Sequence, residues 1–154
     1  MRINHPVLRW SLIVIAIITP LIFAGYSHYQ RNHFRCEAHM IIVDDDSVVD
    51  VMTNYNFKGD AGTLRSSGEY VKNDASQVAI SNQISFAFWR EGGDVIMVSN
   101  DTNELPKKSE PYRLNIPDFY HSRDRGIRIK ITPAHSAGYF FSYSNTPLFY
   151  CAKG

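Results

Sequence analysis

Two cysteines are the residues most able to do chemistry in this sequence. Cys36 and Cys151 lie more than 100 positions apart, at the start and near the end of the part that follows an apolar N-terminal block. No Cys-x-x-Cys pair occurs, so a dithiol redox enzyme is not indicated. An even pair in a domain outside the cytosol reads as one disulfide; two unrelated buried thiols are the alternative. Closing so long a loop would contribute on the order of 4–5 kcal/mol by restricting the unfolded chain.

The other reactive residue types form no recognised constellation. Asp44, Asp45 and Asp46 are consecutive. A calcium loop needs spaced ligands, a central Gly and a distal Glu, so a solvated turn is expected. His28, His33 and His39 are five and six apart, which is not the spacing of zinc ligands on a helix. The chain has neither Gly-x-Ser-x-Gly nor a Gly-rich phosphate loop. Asn100-Asp101-Thr102 matches the glycosylation triplet, which matters only in a eukaryotic secretory pathway. The expectation is a protein without catalytic residues, metal or cofactor, and not an enzyme.

Charge points away from nucleic acid. From Arg31 onward, fourteen Lys and Arg face fifteen Asp and Glu, so the folded part is near −1. Nucleic-acid binding needs a basic patch or stripe. Arg123, Arg125, Arg128 and Lys130 come nearest, and read as solvated side chains on a turn and a strand face. A ligand cavity is a further possibility. A barrel of about eight strands can hold one apolar molecule between aromatic walls. Phe86, Phe88, Trp89, Tyr139, Phe140, Phe141 and Tyr143 are candidates to line such a pocket or to fill it as core. Core is the expectation.

The elements that would position these residues fall into two blocks. Trp10 to Gln30 carries no charge, and Leu12 to Ala24 is almost wholly aliphatic or Phe. Roughly 20 such residues span a bilayer as a helix. Trp10, Tyr26 and Tyr29 suit the two interfaces, and Pro20 is tolerable there. A cleaved signal peptide is the competitor. Its cleavage chemistry is poor, because Ile22-Phe23-Ala24 and Ala24-Gly25-Tyr26 each put a bulky residue where a small one is needed. Cys36 follows His33-Phe34-Arg35 and not a lipobox. Arg2 and Arg9 before the segment and Arg31 and Arg35 after it leave orientation open.

Residues 1–9 thus form an N-terminal tail, 10–30 a transmembrane helix and 31–154 a small, mainly β domain, in which residues 31–35 are a polar link. Strands are expected over 36–43, 48–57, 63–71, 77–90, 95–99, 127–132, 139–144 and 148–151. Val78, Ile80, Ile84, Phe86 and Phe88 give the clearest alternation. Residues 100–111 read as irregular, and Pro117 to His121 as one helical turn. Roughly eight antiparallel strands predict a barrel or sandwich, which hides its edges.

Several segments resemble the FidL-like membrane proteins of enteric bacteria. They are Phe34-Arg35-Cys36, Ser66-Ser67-Gly68-Glu69-Tyr70, Ile84-Ser85-Phe86-Ala87-Phe88 and Ile116-Pro117-Asp118-Phe119-Tyr120. Gly138-Tyr139-Phe140-Phe141-Ser142 and Pro147-Leu148-Phe149-Tyr150-Cys151 complete the set. The resemblance implies a single-pass bacterial inner-membrane protein with its C-terminal domain in the periplasm. It also implies an accessory partner of a membrane-spanning transcription regulator, in the layout of ToxR with ToxS. The second function expected is a lipocalin-like module for an amphipathic molecule such as a bile salt. The third is a purely structural envelope protein.

Overall fold

The computed structural model describes residues 5–44, 47–72, 77–105, 117–135 and 137–154. They form two units that divide between His33 and Phe34. The first is the helix α1, His5–Asn32, with Pro20 inside it. Val7–Asn32 has a mean hydropathy of 2.2 in its most apolar window, with none of that window buried. By length and composition it can cross a membrane, a test that signal sequences also meet.

The second unit is a closed antiparallel barrel of eight strands in sequence order. They are β1 (His33–Asp44), β2 (Ser47–Lys58), β3 (Ala61–Lys72), β4 (Gln77–Glu91), β5 (Asp94–Leu105), β6 (Gly126–Ala134), β7 (Gly138–Tyr143) and β8 (Thr146–Lys153). A short 3-10 turn, η1 (Asp118–Tyr120), precedes β6, where the sequence predicts a helical turn. Alternation drives this architecture. In β2, Ser47, Val49, Val51, Thr53, Tyr55 and Phe57 point inward and their neighbours outward.

Two boundaries differ from expectation. The polar link over 31–35 does not exist: α1 ends at Asn32 and β1 starts at His33. Phe34 explains this, since its ring lies 4.4 Å from Phe57 and 4.2 Å from Tyr139. Burying that ring draws its neighbours into the sheet. Residues 100–105 are strand, not loop. The β4–β5 register shifts between Ser85 and Phe86 and then continues to Leu105. This bulge absorbs one residue, so ladder hydrogen bonds override the poor strand propensity of Asn and Asp. Asp45, Asp46 and residues 106–116 lie outside the described residues.

The barrel closes through a narrow seam. Among the described residues, β1 and β8 pair only at Cys36 with Lys153 and at Glu37 with Ala152. Beside these pairs Cys36 and Cys151 form a disulfide, with Cα atoms 5.3 Å apart and both residues buried. From Ala38 to Val43, β1 has no ladder partner on β8 among the described residues. The link therefore clamps one end of the seam and leaves the other unpaired. The double variant Cys36→Ser/Cys151→Ser should lose about 2–5 kcal/mol in urea-induced unfolding of the full chain. A loss below roughly 1 kcal/mol would show that the seam holds without the covalent bond.

Candidate functional site

The strand register stacks the inward side chains of β2, β3 and β4 in rows across the barrel. Phe57, Gly62 and Phe86 form the first row, and Tyr55, Leu64 and Ile84 the second. Thr53, Ser66 and Asn82 form the third. Val51, Gly68 and Ile80 form the fourth, and Val49, Tyr70 and Val78 the fifth. The first two rows are aromatic and aliphatic, the third is polar, and the last two are mostly aliphatic.

That polar row divides the interior. On one side lies the main core, with Phe34, Tyr55, Phe57, Phe86, Phe88, Phe119 and Phe141. Phe57 meets Phe86 at 5.4 Å and Phe88 at 5.0 Å, both edge-on. Edge-to-face contacts of this kind add stability beyond burial alone. Gly62 makes room for this, since a Cβ there would strike the Phe86 ring. On the other side sits a smaller cluster of Val49, Val51 and Tyr70, with Met40, Ile42, Val78 and Ile80 against it.

Beyond the polar row the barrel is not filled. A cavity of about 440 Å³ is lined by Met40, Ile42, Val49, Val51 and Ile80 on one wall. Ile127, Leu148, Phe149 and Tyr143 line the other. Thr53, Ser66 and Asn82 take part in the lining, as do Pro117, Tyr120 and His121 beside η1. Gly68 adds no side chain at the level of Val51 and Ile80. A Cβ there would collide with the backbone carbonyl of Asp50, so the gap in that row is built into the β2–β3 approach.

Ser99 holds η1 and the turn after it. Its buried hydroxyl donates to the Ser122 carbonyl at 2.6 Å and accepts from the Arg125 N–H at 3.2 Å. Phe119 is fully buried and reaches Phe86 at 5.9 Å. With Phe119 anchored, Tyr120 is left beside the cavity. The Tyr55 and Tyr120 hydroxyls are 3.3 Å apart, and either can donate. Burial pushes the Tyr55 phenol well above its ordinary range, and Tyr120 adds to the rise. Burial raises Tyr120 too, while its bond with Tyr55 pulls the other way. Both phenols are therefore neutral at physiological pH.

The predicted site residues separate clearly. Phe86, Phe88 and Phe141 are core, and Tyr139 is partly buried against that core. None of the four lines the cavity. Tyr143 does line it, whereas Trp89 and Phe140 are exposed. Cys36 and Cys151 are brought together as the disulfide. Among the basic residues, Arg123 pairs with Asp101 at 2.6 Å, and Arg128 with Asp94 at 3.2 Å. His39 meets Asp50 at 2.6 Å on the surface. The polar row was missed, because Thr53, Ser66 and Asn82 meet only through cross-strand register. Their signal was a polar residue interrupting each apolar alternation at an inward position.

A family model for the YqeJ C-terminal domain matches residues 33–151. The chain belongs to the YqeJ C-terminal domain family. The match runs from the first residue of β1 to the second cysteine of the disulfide. It gives no specific support to the FidL-like resemblance. No curated protein and no solved structure matches the chain.

The tyrosine pair makes the YqeJ-type barrel sensitive to alkali. A phenol whose folded-state pKa is raised stays protonated after the unfolded chain has ionised. Stability is then full below the unfolded value of 10.0 and falls as pH rises above it. The expected slope is up to ~1.4 kcal/mol per pH unit for each tyrosine. Tyr55→Phe should make the decline above pH 10.0 shallower in chemical unfolding. An unchanged slope would mean that Tyr55 is not held neutral.

Proposed function

We propose that this chain is a lipocalin-like binding module that holds one apolar or amphipathic small molecule inside its barrel. The cavity of about 440 Å³ carries this proposal. It falls within the range of roughly 300–1,000 Å³ typical of small-molecule sites, which are mostly apolar with a few placed polar groups. Its lining has that composition, and a bile salt is one molecule of suitable character. The barrel would stand in the periplasm, tethered by α1 to a bacterial inner membrane. The apolar length of α1, its flanking Trp10, Tyr26 and Tyr29, and its poor cleavage chemistry support an anchor. The disulfide supports an oxidising compartment.

A second role is favoured by a separate observation. Among the described residues, the β1–β8 ladder is limited to the Cys36–Lys153 and Glu37–Ala152 pairs, which leaves the rest of this seam without ladder partners across it. Ile41, Val43, Leu148 and Tyr150 beside it are exposed. Such an edge is suited to strand addition by another protein. Together with the FidL-like resemblance, this supports an accessory partner of a ToxR-like membrane regulator. Confinement to one membrane would raise the effective concentration of the pair.

The binding role is tested with an apolar dye, N-phenylnaphthylamine, and the full chain in lipid nanodiscs. Dye emission should rise above that of empty nanodiscs. Ile80→Trp, which fills the cavity, should weaken binding by at least about tenfold while circular dichroism still reports a folded barrel. Equal binding by wild type and the folded variant would sink the role. For the accessory role, purification from native membranes should recover a membrane-spanning transcription regulator. Ile41→Asp/Val43→Asp should abolish that recovery. The role fails if no such regulator is recovered and deletion of the protein leaves regulator output unchanged.

A further inference from the structure

The chemistry of the cavity floor narrows what the barrel can hold. Among the described residues, no Asp, Glu, Lys or Arg lines the cavity. A cationic head driven to the floor would lose its water without gaining a carboxylate partner, and an anionic head would meet no Lys or Arg, which is costly. The Tyr55 and Tyr120 phenols are neutral, so they supply no charge either.

The floor's own hydrogen bonds show which polar group fits. Thr53 Oγ1 donates to the Ala38 carbonyl at 3.2 Å, so its proton is used within the wall. Asn82 Nδ2 donates to the Tyr120 carbonyl at 3.1 Å. A carbonyl accepts only from the amide nitrogen, and this fixes which way the Asn82 side chain is turned. Asn82 Oδ1 is then a buried acceptor that receives no hydrogen bond from the protein. A buried acceptor left unsatisfied costs roughly 1–3 kcal/mol. Ser66 stands between Thr53 and Asn82, directly opposite each on its neighbouring strand, and a hydroxyl can donate or accept.

A carboxylate offers only acceptors, and so meets the Asn82 oxygen with like polarity. An ammonium finds no carboxylate. An ether or ester offers no donor. A hydroxyl can donate to Asn82 Oδ1 and accept from Ser66, while an aliphatic body lies along Met40, Val51, Ile80 and Ile127. We infer that the barrel takes an uncharged, hydroxyl-bearing apolar molecule, such as a long-chain or alicyclic alcohol, seated hydroxyl-first against the Thr53–Ser66–Asn82 row. This rests on the ligand-binding role proposed above and adds the polar group that is recognised.

Matched probes separate the two ideas. Decanol, decyl methyl ether and decanoate share one chain and differ in donor and charge. Each is titrated calorimetrically into the full chain in lipid nanodiscs, with empty nanodiscs subtracted. Decanol should bind roughly tenfold more tightly than the ether, the worth of one hydrogen bond to a buried acceptor. Asn82→Leu should bring the alcohol down to the ether's affinity and leave the ether nearly unchanged. Ser66→Ala, a milder change to the same row, should narrow the difference, and thermal melting checks that both variants fold. Equal binding of alcohol and ether by the wild type overturns the inference but leaves the binding role standing. Tightest binding of decanoate does the same, and would turn attention to the His121 imidazole in the lining. Binding of none of the three overturns both.

Discussion

The barrel depends on how its first and last strands are joined. A sheet of eight strands has two edges, and only closure removes both. Here closure rests on two residue pairs and the Cys36–Cys151 disulfide. The covalent link is placed where the ladder is, so both act on the same end of the seam. That end is also where the aromatic core is filled. Phe34, two residues before Cys36, stacks on Phe57 and packs tilted against Tyr139, and so joins β1 to β2 and β7. The disulfide and the ring stack fix the same stretch of β1. The far half of β1 is then free of β8, and the cavity lies beside that half.

The interior follows from this division. Rows of Phe and Tyr fill the clamped half, with Gly62 removing the one side chain that would collide with Phe86. The Thr53–Ser66–Asn82 row ends that core. Small polar side chains cannot reach across the barrel as Phe57 or Tyr55 can, so the space above them is left to whatever Val51 and Ile80 do not fill. Gly68 widens it further. The boundary between filled and unfilled halves is thus written into side-chain size at three adjoining positions. Ser99, holding η1 by its hydroxyl, and Phe119, buried against Phe86, then set Tyr120 at the level of that boundary.

The strands were legible wherever apolar residues alternate without interruption. Ile84, Phe86 and Phe88 give β4 unambiguously, and Ile127, Ile129 and Ile131 give β6. The continuation of β5 past Ser99 was not legible, because Asn100, Asp101 and Asn103 are turn formers by local propensity. A neighbouring strand holds them in the ladder, and nothing local signals that neighbour. The disulfide could be read because a pair of cysteines leaves one pairing. The split between core and cavity could not. Phe86 and Phe141 look alike as candidates for either, and only the register shows that they stack below the polar row. The row itself comes from residues 53, 66 and 82, whose meeting is a property of strand pairing and not of spacing along the chain.

The size of the cavity bears on whether it is a defect or a site. In proteins with engineered cavities, stability falls by about 24 cal/mol for each Å³ left empty. A sealed void of about 440 Å³ would on that scale forfeit on the order of 10 kcal/mol, whereas this cavity opens to solvent beside the exposed Tyr143 and Leu148 and so bears only part of that cost. A chain with nine Phe and nine Tyr has side chains large enough to close such a space. It places the bulk of them in the other half of the barrel, on its outer face or in α1, and puts Ser66 and Gly68 on consecutive inward positions of β3. That arrangement is consistent with the proposed binding role, since one larger aliphatic residue in place of Ser66 would recover burial at little cost in strand pairing. A barrel whose stability is drawn from one clamped half can keep the other half open, and the proposed ligand would supply the contacts the chain withholds.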